Sequence, residues 1–142
     1  MVRNRNREYT KVERPFIEHL RNLGWDYLPG DTGVPYLTER ESFRRVLLLD
    51  RLRQALHRIN LDESGQPWLD EARITQAVGH LQRLGQPKLM VANRQATRLL
   101  IKGTQLVGPD DDKAVPVHYI DHEHPERNDL LVINQFRVDP PW

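Results

Sequence analysis

Apolar positions recur at two different periods along the chain, first near three to four residues and later near two. Over residues 10–23, Phe16, Ile17, Leu20 and Leu23 fall at helical spacing, and Gly24 follows where a helix commonly ends in a left-handed residue. Pro15 lies early enough to be tolerated in a first turn. Trp25, Tyr27 and Leu28 then alternate ahead of the turn-forming Pro29-Gly30-Asp31, which predicts a short strand. In the next segment Thr38 and Glu41 stand three apart as a capping box, whose side chains satisfy free backbone N–H groups at a helix start. Behind them Phe43, Val46, Leu47, Leu49, Leu52, Ala55, Leu56 and Ile59 form an apolar stripe. The stripe predicts a long second helix ending at Asn60, before the turn-rich Asp62-Glu63-Ser64-Gly65. A third helix is expected from near Asp70, burying Ile74, Ala77, Val78, Leu81 and Leu84. A fourth runs from about Pro87 to Ile101 with Leu89, Ala92, Ala96, Leu99 and Leu100 inward, and Gly103 closes it.

Beyond Gly103 the period changes to that of strands. Residues 104–107 read as a short strand, and 109–112 as an acidic turn. Val115, Val117 and Tyr119 then alternate, which buries one face. After a polar connection containing Pro125, Leu130-Leu131-Val132-Ile133 reads as a strand buried on both faces and continuing through Phe136 and Val138. The expectation is an α/β segment occupying 1–142, with a helical front over 10–103 and strands over 104–138.

Composition narrows the class. A length of 142 residues suits one domain with a real core. With 38% hydrophobic and 29% charged residues, the chain reads as soluble and globular. No stretch approaches the roughly 18 consecutive apolar residues of a membrane span. The basic start, Met1 to Arg7, has no apolar run behind it, so no secretory signal is expected. Without cysteine there is no disulfide framework and no thiolate metal site, which fits the cytoplasm. A net charge of +1 argues against a whole-surface polyanion binder. Of the 21 basic residues 17 are Arg, whose planar fork pairs with phosphate, although a GC-rich genome produces the same bias.

Candidate chemistry is sparse. The densest cluster, His118-x-x-Asp121-His122-Glu123-His124, has residue types that bind zinc or another transition metal. A small metal-dependent enzyme built on it is one reading; a solvated loop whose polar groups satisfy turn geometry is the other. Helix-borne His19, His57 and His80 read as surface or boundary residues. Glu13 and Glu18 lie five apart on the first helix and do not share a face. Neither phosphate-binding glycine motif occurs, and Ser42 and Ser64 are in no nucleophile-elbow context. ATP binding and serine-nucleophile hydrolysis are therefore not expected of these residues.

A family resemblance rests on four motifs in order. These are Val12-Glu13-Arg14-Pro15-Phe16-Ile17-Glu18-His19-Leu20 with Leu23-Gly24-Trp25-Asp26-Tyr27, then Val46-Leu47-Leu48 leading into Leu56-His57-Arg58-Ile59-Asn60. Next come Asn93 with Leu99-Leu100-Ile101-Lys102-Gly103, and Val117-His118-Tyr119-Ile120-Asp121 with Asn128-Asp129-Leu130-Leu131-Val132-Ile133-Asn134-Gln135-Phe136. Together they resemble the N-terminal region of the restriction (R, or HsdR) subunit of type I restriction–modification enzymes, over essentially the whole chain.

The resemblance implies a restriction-endonuclease-like PD-(D/E)xK nuclease domain, with helices flanking a mixed central sheet. It also implies a parent enzyme that cleaves unmodified duplex DNA with Mg²⁺ and ATP, alongside methyltransferase and specificity subunits. In that family a metal-binding Asp follows the Asn-Gln-Phe strand, and a Glu-x-Lys pair lies on the next strand. Carboxylates there hold the Mg²⁺ that polarises phosphate and activates water. An acidic residue on the first helix completes the site; Glu13 matches it, with Glu18 as the fallback. Here Phe136 is followed by Arg137-Val138-Asp139-Pro140-Pro141-Trp142, with no Glu-x-Lys, and Asp139 does not match the family's catalytic Asp. The expectation is a fragment that stops before the catalytic hairpin and the motor domains, inactive alone as nuclease and ATPase. The alternative is a non-catalytic module that docks on DNA or on a partner subunit. For either reading, Arg44, Arg45, Arg51, Arg53 and Arg58 of the second helix are candidate DNA or motor-domain contacts.

Overall fold

The computed structural model describes residues 7–85, 88–110 and 113–140. The basic start before Arg7, Pro87 at the expected start of the fourth helix, Asp112 of the acidic turn and Trp142 lie outside the described residues. Two compact units make up the chain, Met1–Leu48 with Leu130–Trp142, and Leu49–Asp129. The architecture is mixed α/β, with helices and two small sheets. Among the described residues no helix is long and apolar enough to cross a membrane.

In the first unit, a π-helical turn over Tyr9–Glu13 leads directly into α1, Arg14–Asn22. Pro15 follows the π-helical turn within one continuous helical path, because Glu13 and Arg14 also have helical backbone. Gly24 takes φ +95°, the expected left-handed exit. Of the four apolar positions expected inside, Ile17 is buried and Leu20 half-buried, while Phe16 and Leu23 remain 61% and 62% exposed. The unit's sheet explains this, because two short strands offer a narrow surface to one helix stripe. Strand β1, Asp26–Pro29, pairs in parallel with β4, Leu131–Asn134, setting Tyr27 opposite Val132 and Leu28 opposite Ile133. The β4 residues are all half-buried instead of buried on both faces. The strand also ends at Asn134, because Gln135 turns left-handed at φ +49° and breaks the extended path expected through Phe136 and Val138.

The capping box at Thr38 and Glu41 does not form. Thr38 closes a 3₁₀ turn, Pro35–Thr38, where its hydroxyl donates to the Pro35 carbonyl and accepts from Arg40 Nε. Arg40 is buried at 4% exposure, and its Nη1 donates to the carbonyls of Arg45 at 2.9 Å and Arg137 at 2.8 Å. Those bonds hold residues 39–48 in turns, so the long second helix is shortened to α2, Leu49–Ile59. Phe43 is buried as expected, but as a ring under the guanidinium groups of Arg40 and Arg137. Val46 is exposed.

The second unit contains α2, then α3 (Glu71–Gln82) and α4 (Leu89–Lys102). A hairpin follows, made of β2 (Thr104–Val107) and β3 (Ala114–Val117), antiparallel with Leu106 opposite Val115. Asp70 caps α3 by accepting from Arg73 N at 2.8 Å. Leu56, Leu69, Ile74, Ala77, Val78, Leu106, Val117 and Tyr119 form the core, with Leu49, Leu52, Trp68, Leu81 and Leu99 packed around it. Buried Asn60 ties the end of α2 to the residue after β3: its Nδ2 donates to the Leu56 and His118 carbonyls, and its Oδ1 accepts from His118 N. No residue of α4 is fully buried. Ala92, Ala96 and Leu99 are half-buried, whereas Leu89 and Leu100, expected inward, are 75% and 43% exposed. Successive residues turn by about 100°, so a helix resting on two alanines and one leucine covers only a narrow stripe. Gly103 takes φ +75°, and a Cβ there would sit 2.2 Å from the Val117 carbonyl, so glycine alone fits.

Candidate functional site

Residues from both ends of the first unit's sequence converge at the C-terminal end of β4. Asn134, the last residue of β4, is the hub. Its Oδ1 accepts from the Tyr27 hydroxyl at 3.0 Å and from the Gly30 backbone N–H at 3.2 Å. Its Nδ2 donates to Glu13 Oε2 at 3.1 Å. Gln135 Nε2 adds bonds to both Glu13 oxygens, at 3.2 and 3.3 Å. The left-handed backbone of Gln135 turns its amide toward the same carboxylate that Asn134 holds. Gly30 allows the close approach: a Cβ there would lie 1.9 Å from the Asn134 carbonyl oxygen.

Glu13 is the last residue of the π-helical turn, a geometry that recurs at functional sites. Its carboxylate is half-buried and oriented by amide donors, with lone pairs left over for a cation or proton. The Tyr27 phenol is held above its ordinary pKa, first by burial and then by the neighbouring Tyr9 and Glu13, with Arg21 and the Asn134 hydrogen bond opposing. At neutral pH Tyr27 is thus a hydrogen-bond donor. Glu18 has a different setting, an exposed pair with Arg14 at 3.2 Å one turn away. Asp139 pairs with Arg137 at 2.8 Å, and its backbone N–H donates to the Phe43 carbonyl.

The other candidates satisfy local structure. Asp121 Oδ1 accepts from the backbone N–H groups of Glu123 and His124, and Asn128 Oδ1 accepts from Asp121 N. The His118–His124 segment is therefore a side-chain-capped turn. Among the described residues no group of three or more His, Asp or Glu is arranged to hold a metal. The second-helix arginines are also engaged within the chain. Arg51 Nη1 reaches both oxygens of Asp129 at 2.9 and 3.2 Å, Arg53 pairs with Glu71, and Arg58 donates to the Arg127 carbonyl. Arg44 and Arg45 lie in the turn segment before α2 and are exposed.

Glu13, Tyr27, Asn134 and Gln135 lie in the first and last motifs of the family resemblance. Over residues 5–141 the chain matches the family described as the type I restriction enzyme R protein N terminus. The chain belongs to that family. A protein of Methanocaldococcus jannaschii, provisionally named as the MjaIXP endonuclease subunit of a type I restriction enzyme, is 32% identical over 136 residues. That match covers 94% of this chain and 12% of the relative's length. No solved structure matches. In this type I R-protein N terminus, Tyr27, Asn134 and Gln135 have partners that sequence reasoning did not assign. The available signal was their place inside the first and last motifs, which motif matching alone gave no physical role.

Proposed function

We propose that this R-protein N terminus is the front of a PD-(D/E)xK nuclease domain whose parent cleaves unmodified duplex DNA, with Glu13 as the first-helix carboxylate of the site. The supporting observation is the fixed position of Glu13 at the end of β4, held by residues 121 and 122 positions away. Mg²⁺ takes oxygen ligands and usually keeps several waters beside one or two carboxylates. Glu13 is a donor of that kind, so the residues present fit part of a Mg²⁺ site. When bound, the ion would polarise a phosphate oxygen and lower the pKa of a bound water. The chain's own contribution is positional: Asn134 and Gln135 orient the Glu13 carboxylate, and Tyr27 and Gly30 orient Asn134. No Glu-x-Lys occurs among the 142 residues. We assign the remaining catalytic groups and the ATP site to the rest of the parent, and expect these 142 residues alone to cleave no DNA. The natural setting is a cytoplasmic complex with methyltransferase and specificity subunits.

The test is plasmid cleavage by the parent R protein assembled with its partner subunits. Glu13→Gln should lower cleavage by more than the roughly 10–100-fold typical of an outer-shell change, while ATP hydrolysis continues. Glu18→Gln should cleave as the native protein does. Equal cleavage by the Glu13 variant would overturn the assignment. A second reading, a DNA-docking module, is favoured by the outer face of α4.

A further inference from the structure

Arginines elsewhere in the described residues mostly have partners within the chain. Arg14, Arg51, Arg53, Arg73 and Arg137 pair with carboxylates, and Arg40 is buried among carbonyls and rings. Among the described residues Arg44 and Arg45 also make no ion pair, but they lie in a turn, whereas the cations of α4 form a row along one helix. Arg94, Arg98 and Lys102 are exposed, and no ion pair or hydrogen bond engages their side chains among the described residues. The helix carries no Asp or Glu over its whole length, Leu89–Lys102. In a chain of net charge +1, such a local excess is not an average property of the surface.

The geometry of this face is regular. Arg94, Arg98 and Lys102 recur every fourth residue, which puts them about 6 Å apart along the axis and spreads them over about 12 Å. One DNA strand places a charge about every 3.4 Å of duplex axis, so the row faces several consecutive phosphates. At about 100° per residue, Met90, Arg94, Arg98 and Ile101 share the side opposite the half-buried Ala92, Ala96 and Leu99. An interfacial membrane helix separates its apolar and charged faces, whereas here the two are interleaved. Asn93, Gln95 and Thr97 are exposed on the same helix and are side chains that also bond phosphate oxygens.

We propose that the outer face of α4 is a docking surface for the sugar–phosphate backbone of duplex DNA, carried by Arg94, Arg98 and Lys102. The contact neutralises phosphates, which carry no sequence information. It holds duplex for the parent enzyme independently of the carboxylate site. The inference rests on the nuclease reading only in naming DNA as the polyanion.

Fluorescence anisotropy with the 142-residue chain and a labelled duplex of about 20 base pairs, between about 50 and 200 mM salt, tests it. Three phosphate contacts predict a log–log salt slope of about −2.7. Arg94→Glu with Arg98→Glu should weaken binding at least about tenfold at low salt and flatten the slope by about two. If that pair disturbs the helix by circular dichroism, Arg94→Gln with Arg98→Gln replaces it, with the same loss of slope. Arg14→Gln, at a guanidinium already engaged by Glu18, should bind as the native chain does. Absent binding at low salt, an unchanged slope in the folded double variant, or binding to phosphatidylserine vesicles that duplex does not displace would each overturn the proposal. Normal cleavage by the Glu13→Gln parent would instead overturn the nuclease reading and leave this salt slope unaffected.

Discussion

The two compact units are held by different kinds of interaction. In Leu49–Asp129 the core is apolar and comes from helices and a hairpin that follow one another in sequence. In the unit made from the two ends of the chain, the specific contacts are polar and span long separations. Tyr27 meets Asn134 across 107 positions, Glu13 meets Asn134 across 121, and Arg40 reaches the Arg137 carbonyl across 97. Apolar burial is non-directional and tolerates small adjustments. A hydrogen-bonded carboxylate tolerates few, because distance and angle both matter. The candidate site lies in the second kind of unit, where positions are set by directional bonds.

Substitutions should separate the two modes. Leu56→Ala removes a fully buried side chain from the apolar core and should cost about 2–5 kcal/mol by urea unfolding. A loss below about 1 kcal/mol would mean the core collapses around the gap.

Alkaline pH should act next most strongly, through Tyr119. Burial raises its phenol to about 12 from 10.0, and its hydroxyl donates to the Ala77 carbonyl at 2.6 Å. Below pH 10 the phenol is protonated in both folded and unfolded chains, so its contribution is fully present. Between about 10 and 12 the unfolded chain loses the proton first, and stability falls by an amount on the order of 2 kcal/mol. Tyr119→Phe should abolish that part of the alkaline loss; an identical pH profile would contradict the assignment.

A smaller effect is expected at the polar hub. Asn134→Ala leaves Glu13, Tyr27 and Gly30 short of partners and should cost about 1–2 kcal/mol, read as faster amide exchange in β1 and β4. Unchanged exchange in both strands would break the proposed chain of bonds. Smallest is Asp70→Ala, which removes the α3 cap and should cost about 1 kcal/mol in thermal melts.

Much of the second unit was legible as pattern. The Asp70 start, the buried Ile74, Ala77 and Val78, the left-handed Gly103 and the hairpin all follow from neighbouring residues. The helix expected from Thr38 failed because Arg40 binds the Arg45 and Arg137 carbonyls, and Arg137 is a partner that no local window contains. Leu89 and Leu100 fit an inward stripe by spacing, yet α4 rests on a narrower one. Arginines 51, 53 and 58 read as candidate contacts until their partners were visible.

By itself the amino-acid order determined the family, the helix and hairpin identities and the choice of Glu13 as a candidate, because each depends on motifs or on residues within a few positions. Which glutamate meets β4, which arginines stay unpaired and where β4 stops were decided by tertiary structure alone. The physical reason is common to all three: a hydrogen bond or ion pair is made by whichever groups the folded backbone brings within about 3 Å, and sequence separation does not enter that distance.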